Sequence, residues 1–164
     1  MDLIVQNNSA IWGAKTFECS IGSGGVVDHK QEGDGGTPTG RFPFRKVYYR
    51  SDRVGSISTP LPTEAIEKSD GWCDDPHDPM YNKHIKLPYI ARHEKLWRED
   101  HVYDVILVVG HNDAPVIPGK GSAVFVHLRR PEGTPTEGCV ALSLENLLEI
   151  IEECNHQSLL VVER

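Results

Sequence analysis

A histidine at position 127 and a cysteine at position 139 are the residues of this chain best placed to do chemistry together. The stretch His127-Leu-Arg-Arg-Pro-Glu-Gly-Thr-Pro-Thr-Glu-Gly-Cys139-Val-Ala-Leu leaves an alternating apolar run, crosses a Gly/Pro-rich loop and returns to a cysteine preceded by glycine. Such a path sets an imidazole beside a thiol at the edge of a sheet. The imidazole can take the thiol proton, and the thiolate is the form that attacks carbonyl carbon. Gly138 lets the backbone approach a substrate closely, and the Gly138 and Cys139 N–H groups are candidates to face an oxyanion. Cys139 also precedes a helical pattern, and the reading places it within a turn of a helix N-terminus whose dipole favours the thiolate. A histidine at a strand end is, alone, most often a polar edge residue. The returning Gly-Cys is what makes it half of a nucleophile–base pair. Arg129, two residues past His127, shares its face if the strand continues, and so could hold a substrate carboxylate or orient the loop.

The elements that must position this pair are mostly strands. Short strands are expected at Leu3–Val5, Ala10–Trp12 and Thr16–Ile21, separated by polar or glycine turns. Residues 22–40 are dense in glycine and read as a long loop, and Val47–Arg50 as another strand. Val102–Val109 and Ala123–Leu128 are short, β-branched and continuous, the pattern of buried strands, with His127 on the face of Phe125. From residue 51 to 100 the pattern is vague, and Arg92–Glu99 could form one or two helical turns. The best helix is 144–154, with Leu144, Leu147, Leu148 and Ile151 on one face, Ser143 as N-cap and Glu145 in the first turn. Ser158–Glu163 closes the chain as a strand. The fold class is therefore α+β, mainly β, with one domain over 1–164.

Composition narrows the function classes. The 164 residues are 38% hydrophobic and 25% charged, enough for one domain with a core. A formal net charge of -7 argues against a nucleic-acid partner, which requires a concentrated basic face. No run approaches the roughly 20 apolar residues of a membrane span. The N-terminal Met1-Asp-Leu-Ile-Val-Gln-Asn-Asn has neither the basic nor the apolar segment of a secretory signal, an expectation of work where the protein is made unless a signal was removed. Of four cysteines, Cys19 and Cys154 read as structural; none forms a Cys-x-x-Cys pair with another.

The His127–Cys139 segment resembles the signature of the L,D-transpeptidase (YkuD-like) family, a histidine followed by Ser/Thr-His-Gly-Cys and an apolar residue. Thr37-Pro38-Thr39-Gly40-Arg41-Phe42 is similar to that family's Thr-Pro-x-Gly-x-Phe loop. Lys30-Gln-Glu-Gly-Asp-Gly, Asp74-Asp-Pro with Tyr81-Asn82, Leu96-Trp97-Arg98-Glu-Asp100 and Pro118-Gly-Lys-Gly-Ser-Ala resemble a bacterial branch of it. The resemblance implies a β-sandwich or open-barrel sheet with a helix after the cysteine, and acyl transfer on peptidoglycan tetrapeptide stems with Cys139 as nucleophile and His127 as base. It also implies carbapenem-type β-lactams as inhibitors, no cofactor or metal, and a place in the periplasm or cell envelope. An L,D-carboxypeptidase using the same pair, or a non-catalytic wall-binding relative, are the alternatives. Two departures stand out: the loop between His127 and Cys139 is shorter than usual, and Thr136-Glu137-Gly138-Cys139 carries a glutamate where the family has histidine. Thr136, Glu137, Arg129, Tyr81 and Asn82 are the candidate substrate-binding residues.

Other signals weigh less. Cys73, Asp74, Asp75, His77 and His84 match no closed zinc spacing, and their segment reads better as a wall of the substrate cleft. Glu32-Gly-Asp-Gly-Gly-Thr lacks the Gly-Lys-Ser/Thr and helix of a phosphate loop. His111-Asn112-Asp113 reads as a turn, and Trp12, Trp72 and Trp97 as core or cleft-lining residues.

Overall fold

The computed structural model describes residues 1–164. The chain opens with β1 (Leu3–Gln6), β2 (Ser9–Trp12) and β3 (Lys15–Glu18), followed by β4 (Val26–Val27), β5 (Thr37–Pro38) and β6 (Gly40–Tyr49). A single turn α1 (Ser51–Val54) leads to β7 (Thr63–Ala65), β8 (Asp70–Cys73), β9 (His84–Lys86) and β10 (His93–Lys95). Then come β11 (Val105–Val109), β12 (Phe125–Leu128), β13 (Val140–Leu142), α2 (Leu144–Glu153) and β14 (Leu159–Glu163).

Nine strands form the main sheet, in the order β13-β12-β11-β6-β14-β1-β2-β3, with β7 paired to β6. The two ends of that order meet again. Ser20, just past β3, exchanges backbone hydrogen bonds with Ala141 of β13, so the sheet curls into a nearly closed barrel. A smaller sheet, β10-β8-β9, covers the outer face.

The run Val105–Val109 is apolar throughout because the strand is buried on both sides. Val105, Leu107 and Val109 point into the barrel with Val126, Leu128 and the α2 residues Leu147, Ile150 and Ile151. Ile106 and Val108 point out to a second core with Phe125, Tyr103 and Trp72. The helix forms as expected: the Ser143 hydroxyl accepts from Asn146 N–H, and Leu144 alone of the expected stripe is left largely outside, 39% exposed.

Four expectations need correction. The glycine-dense 22–40 segment is not wholly loop, since β4 and β5 pair in parallel within it. β6 begins well before Val47, and its Pro43 sits where the strand passes from its β14 partners to its β11 partners. Residues 92–99 contain the strand β10 rather than helical turns, because Glu94 pairs with Trp72 across β8. The strand expected from Ala123 starts at Phe125, since Ala123 has φ +51 and cannot extend it.

Candidate active site

β12 and β13 run parallel, with Val126 opposite Val140 and His127 opposite Ala141. Alternation along β12 turns Phe125 and His127 away from the barrel interior, as the sequence pattern indicated. Cys139 enters β13 opposite Phe125 and joins the same outer cluster. Cys139 and His127 thus lie on one face, 8% and 6% exposed, and both line a cavity of about 840 Å³ with Gly138, Thr136 and Glu137.

The thiol is held by two backbone groups. Cys139 Sγ donates to the Ala123 carbonyl at 3.1 Å and accepts from Phe125 N–H at 3.3 Å. Burial pushes its pKa up to about 12, with the Glu94 charge adding to that and the Phe125 N–H opposing it. The helix dipole gives no help: β13 intervenes between Cys139 and α2, so the expectation of a cysteine within a turn of the helix start is wrong. The effect fades within the first turn.

His127 is neutral as well, lowered to about 4 by burial, with the Arg98 and Arg130 charges reinforcing the shift. Its Nδ1–H donates to the Leu128 carbonyl at 3.0 Å, which fixes the tautomer and leaves Nε2 as the basic nitrogen. Nε2 has no protein partner and opens to the cavity. The Tyr103 ring packs edge-on against the imidazole, centroids 5.4 Å apart. The resting pair is therefore a neutral thiol and a neutral imidazole, not hydrogen-bonded to each other.

One prediction follows directly. At pH 7 native Cys139 should react with iodoacetamide about 10²-fold or more slowly than a free cysteine, and its rate should climb about tenfold per pH unit beyond pH 9. Rapid alkylation at neutral pH, read by peptide mass spectrometry, would reveal a preformed thiolate and refute this resting state.

Two threonines shape the turn before the cysteine. Thr136 Oγ1 donates to the Cys139 carbonyl at 2.6 Å and accepts from Gly138 N–H at 3.1 Å. Thr37 Oγ1, fully buried, donates to the Gly138 carbonyl at 3.0 Å and accepts from Gly22 N–H at 2.8 Å. Gly138 has φ +137, and a Cβ there would lie 2.8 Å from the Gly36 carbonyl oxygen, so only glycine fits. Because Gly138 N–H is engaged by Thr136, the expected pair of free oxyanion donors reduces to Cys139 N–H, which makes no backbone hydrogen bond.

The other expected residues divide. Thr136 and the exposed Glu137 are at the cavity. Arg129 is not: its guanidinium donates to Ser20 Oγ at 3.0 Å and to Glu18 at 2.6 Å, which ties the loop to the end of β3 and fits the loop-orienting role. Tyr81 and Asn82 are buried behind the cavity rather than in its wall. Asn82 uses all four of its hydrogen-bonding positions, and its Oδ1 accepts from Trp72 Nε1 and from Ala123 N–H, both at 3.0 Å. It thereby holds Ala123 in the backbone conformation that aims its carbonyl at the thiol. Tyr81 OH donates to Glu32, which also receives the Ser122 hydroxyl. Sequence reasoning missed Lys30, Glu94, Arg98, Tyr103 and Arg130 as cavity residues. No local signal could have found Glu94, whose strand has only three residues.

Fold and site together define a class: a mainly-β domain whose nearly closed sheet presents a buried thiol and an imidazole on one cavity wall. A family model for the YkuD L,D-transpeptidase catalytic domain matches residues 2–162, so the chain belongs to that family. Its members are in general cysteine-dependent transpeptidases that act on peptidoglycan, typically in the cell envelope. No curated protein and no solved structure matches the chain. No helix here is long and apolar enough to cross a membrane.

Proposed function

We propose that this chain is a cysteine acyltransferase of the L,D-transpeptidase type, acting on tetrapeptide stems through a Cys139 thioester with His127 as base. The observation that carries it is the single cavity shared by the Cys139 thiol and the free Nε2 of His127. Because both groups rest neutral, the proton moves as the bond forms. Nε2 takes the thiol proton while Sγ attacks the carbonyl of the third stem residue. Cys139 N–H stabilises the oxyanion, an effect on the order of 3 kcal/mol per donor in comparable sites. The bond to the terminal D-alanine breaks, His127 returns its proton to that leaving amine, and an amine of a second stem resolves the thioester. Charges of both signs on the cavity wall, Arg98 and Arg130 against Glu94 and Glu137, suit a peptide bearing free carboxylates and amines. The cell envelope is the place where such stems occur.

Intact mass spectrometry tests this. Wild-type protein treated with a carbapenem should gain the mass of one molecule, on the peptide containing Cys139. With disaccharide-tetrapeptide it should release D-alanine and form a cross-linked dimer. D-Alanine without dimer would assign hydrolysis instead, and neither adduct nor product would sink the reading.

A further inference from the structure

A carboxylate that the family motif does not contain stands in the same cavity. Glu94, in β10, accepts the Tyr103 hydroxyl at Oε1, 2.8 Å away, while its Oε2 has no protein partner and opens to the cavity. No cation pairs with it. Among the cavity arginines, Arg98 is committed to Asp100 through two bonds of 2.8 and 2.7 Å, and Arg92 is engaged by Asp74. Burial raises the pKa of Glu94 and the charges of Asp74 and Glu137 raise it further, against the Tyr103 hydrogen bond and the Arg98 charge, which lower it. Glu94 and Cys139 line the same cavity, and the Glu94 charge disfavours the thiolate. A partly buried carboxylate without a counter-ion is costly unless a ligand brings the positive charge.

We infer that Glu94 is the acceptor-side base, holding the ammonium group of the incoming amine beside the thioester and taking its first proton. The inference rests on the transferase reading above. Its logic is proton counting. An amine that arrives as an ammonium ion must lose two protons to become an amide, whereas water needs to give up only one during attack. His127 has a single basic nitrogen, Nε2. In the transfer step Glu94 takes the first proton, the freed nitrogen attacks the thioester carbonyl, and the carbon–nitrogen bond forms as the carbon–sulfur bond breaks. Nε2 takes the second proton and hands it to the departing Cys139 sulfur, and Glu94 releases its own to water with the product. Tyr103 sits between the two bases, its hydroxyl on Glu94 and its ring edge on His127. The substrate class is an acyl acceptor with a primary amine that is charged at neutral pH.

Glu94→Gln is the test, because glutamine keeps an oxygen for Tyr103 and loses only the charge and the basicity. The full-length variant should still form the carbapenem adduct, no more slowly than wild type, because removing the Glu94 charge eases formation of the Cys139 thiolate. Its ratio of amine-transfer to hydrolysis products should fall about 10²-fold, the usual scale for a general base. With hydroxylamine, which is already uncharged at neutral pH, the two proteins should transfer alike. An unchanged product ratio overturns the inference. So does loss of adduct formation in a Glu94→Gln protein that circular dichroism shows folded, since that moves Glu94 into the first half-reaction. Should Glu94→Gln not fold, Glu94→Asp, which retains the acid at a shorter reach, should transfer more slowly while acylating normally; equal slowing of both steps overturns it. If wild type itself never acylates, the transferase reading fails first, and the two failures are distinguishable.

Discussion

Replacing Cys139 by alanine is expected to abolish acyl-adduct formation, and replacing His127 by glutamine to slow it about 10³-fold, within the usual range for a general base. The alanine variant has no nucleophile, and none of the other three cysteines lines the cavity. It should still fold, because the cost is two hydrogen bonds at a small side chain, on the order of 1–3 kcal/mol. Glutamine at 127 keeps a donor for the Leu128 carbonyl but cannot take a proton. The pH profile of wild type distinguishes this base from an ordinary surface histidine. Burial lowers His127 to about 4, so the base stays unprotonated through the mildly acidic range. As pH falls, adduct formation should decline along an acid limb with its midpoint near 4 rather than near 6.5. Timed mass spectra across pH 3.5–8 measure both effects. An adduct on Cys139→Ala, or a midpoint at 6.5, would contradict the proposed roles.

The second large effect is on stability. Thr37→Val should cost about 3 kcal/mol, because it removes one hydroxyl and strands two buried groups, the Gly22 N–H and the Gly138 carbonyl, at 1–3 kcal/mol each. Relaxation is blocked where these segments meet: a Cβ on Gly22 would stand 2.1 Å from the Gly35 oxygen and 3.0 Å from the Gly138 Cα. Thr37→Ser keeps the hydroxyl and should lose less than about 1 kcal/mol, mainly the buried methyl. Urea denaturation of the two variants gives the comparison, and a valine variant within 1 kcal/mol of wild type would remove Thr37 from this role. Valine should also slow adduct formation, because Gly138 positions Cys139.

Periodicity and residue type carried much of this architecture. The strands expected at 102–109 and 123–128 were found, shortened at their starts to 105–109 and 125–128, and with the apolar stripe of α2 they were legible because burial selects apolar residues in each. His127 could be placed on the Phe125 face by strand alternation. Legibility ended where tertiary partners decide. Arg129 shares the parity of His127, yet Glu18 and Ser20, more than a hundred positions away, take its guanidinium. Asn82 and Tyr81 looked like cleft residues because they lie in an irregular segment, but their polar groups are consumed inside. The state of the Cys139 thiol depends on enclosure by Trp72, Phe125 and Tyr103, which no local pattern reveals. Glu94 was hidden because a three-residue strand is too short to show its alternation.

The meeting of the first and last parts of the main sheet bears on how the thiol can move. Ser20 and Ala141 exchange two backbone bonds, Thr136 N–H donates to the Ile21 carbonyl, and Ser23 N–H donates to the Thr136 carbonyl. The turn carrying Gly138 and Cys139 is thus stitched on both sides to the segment that follows β3. A bulky acyl donor cannot be admitted by a flap of this turn alone. Any widening on the cysteine side has to unzip the barrel along its seam, so the breathing of the site and the breathing of the whole sheet are one motion.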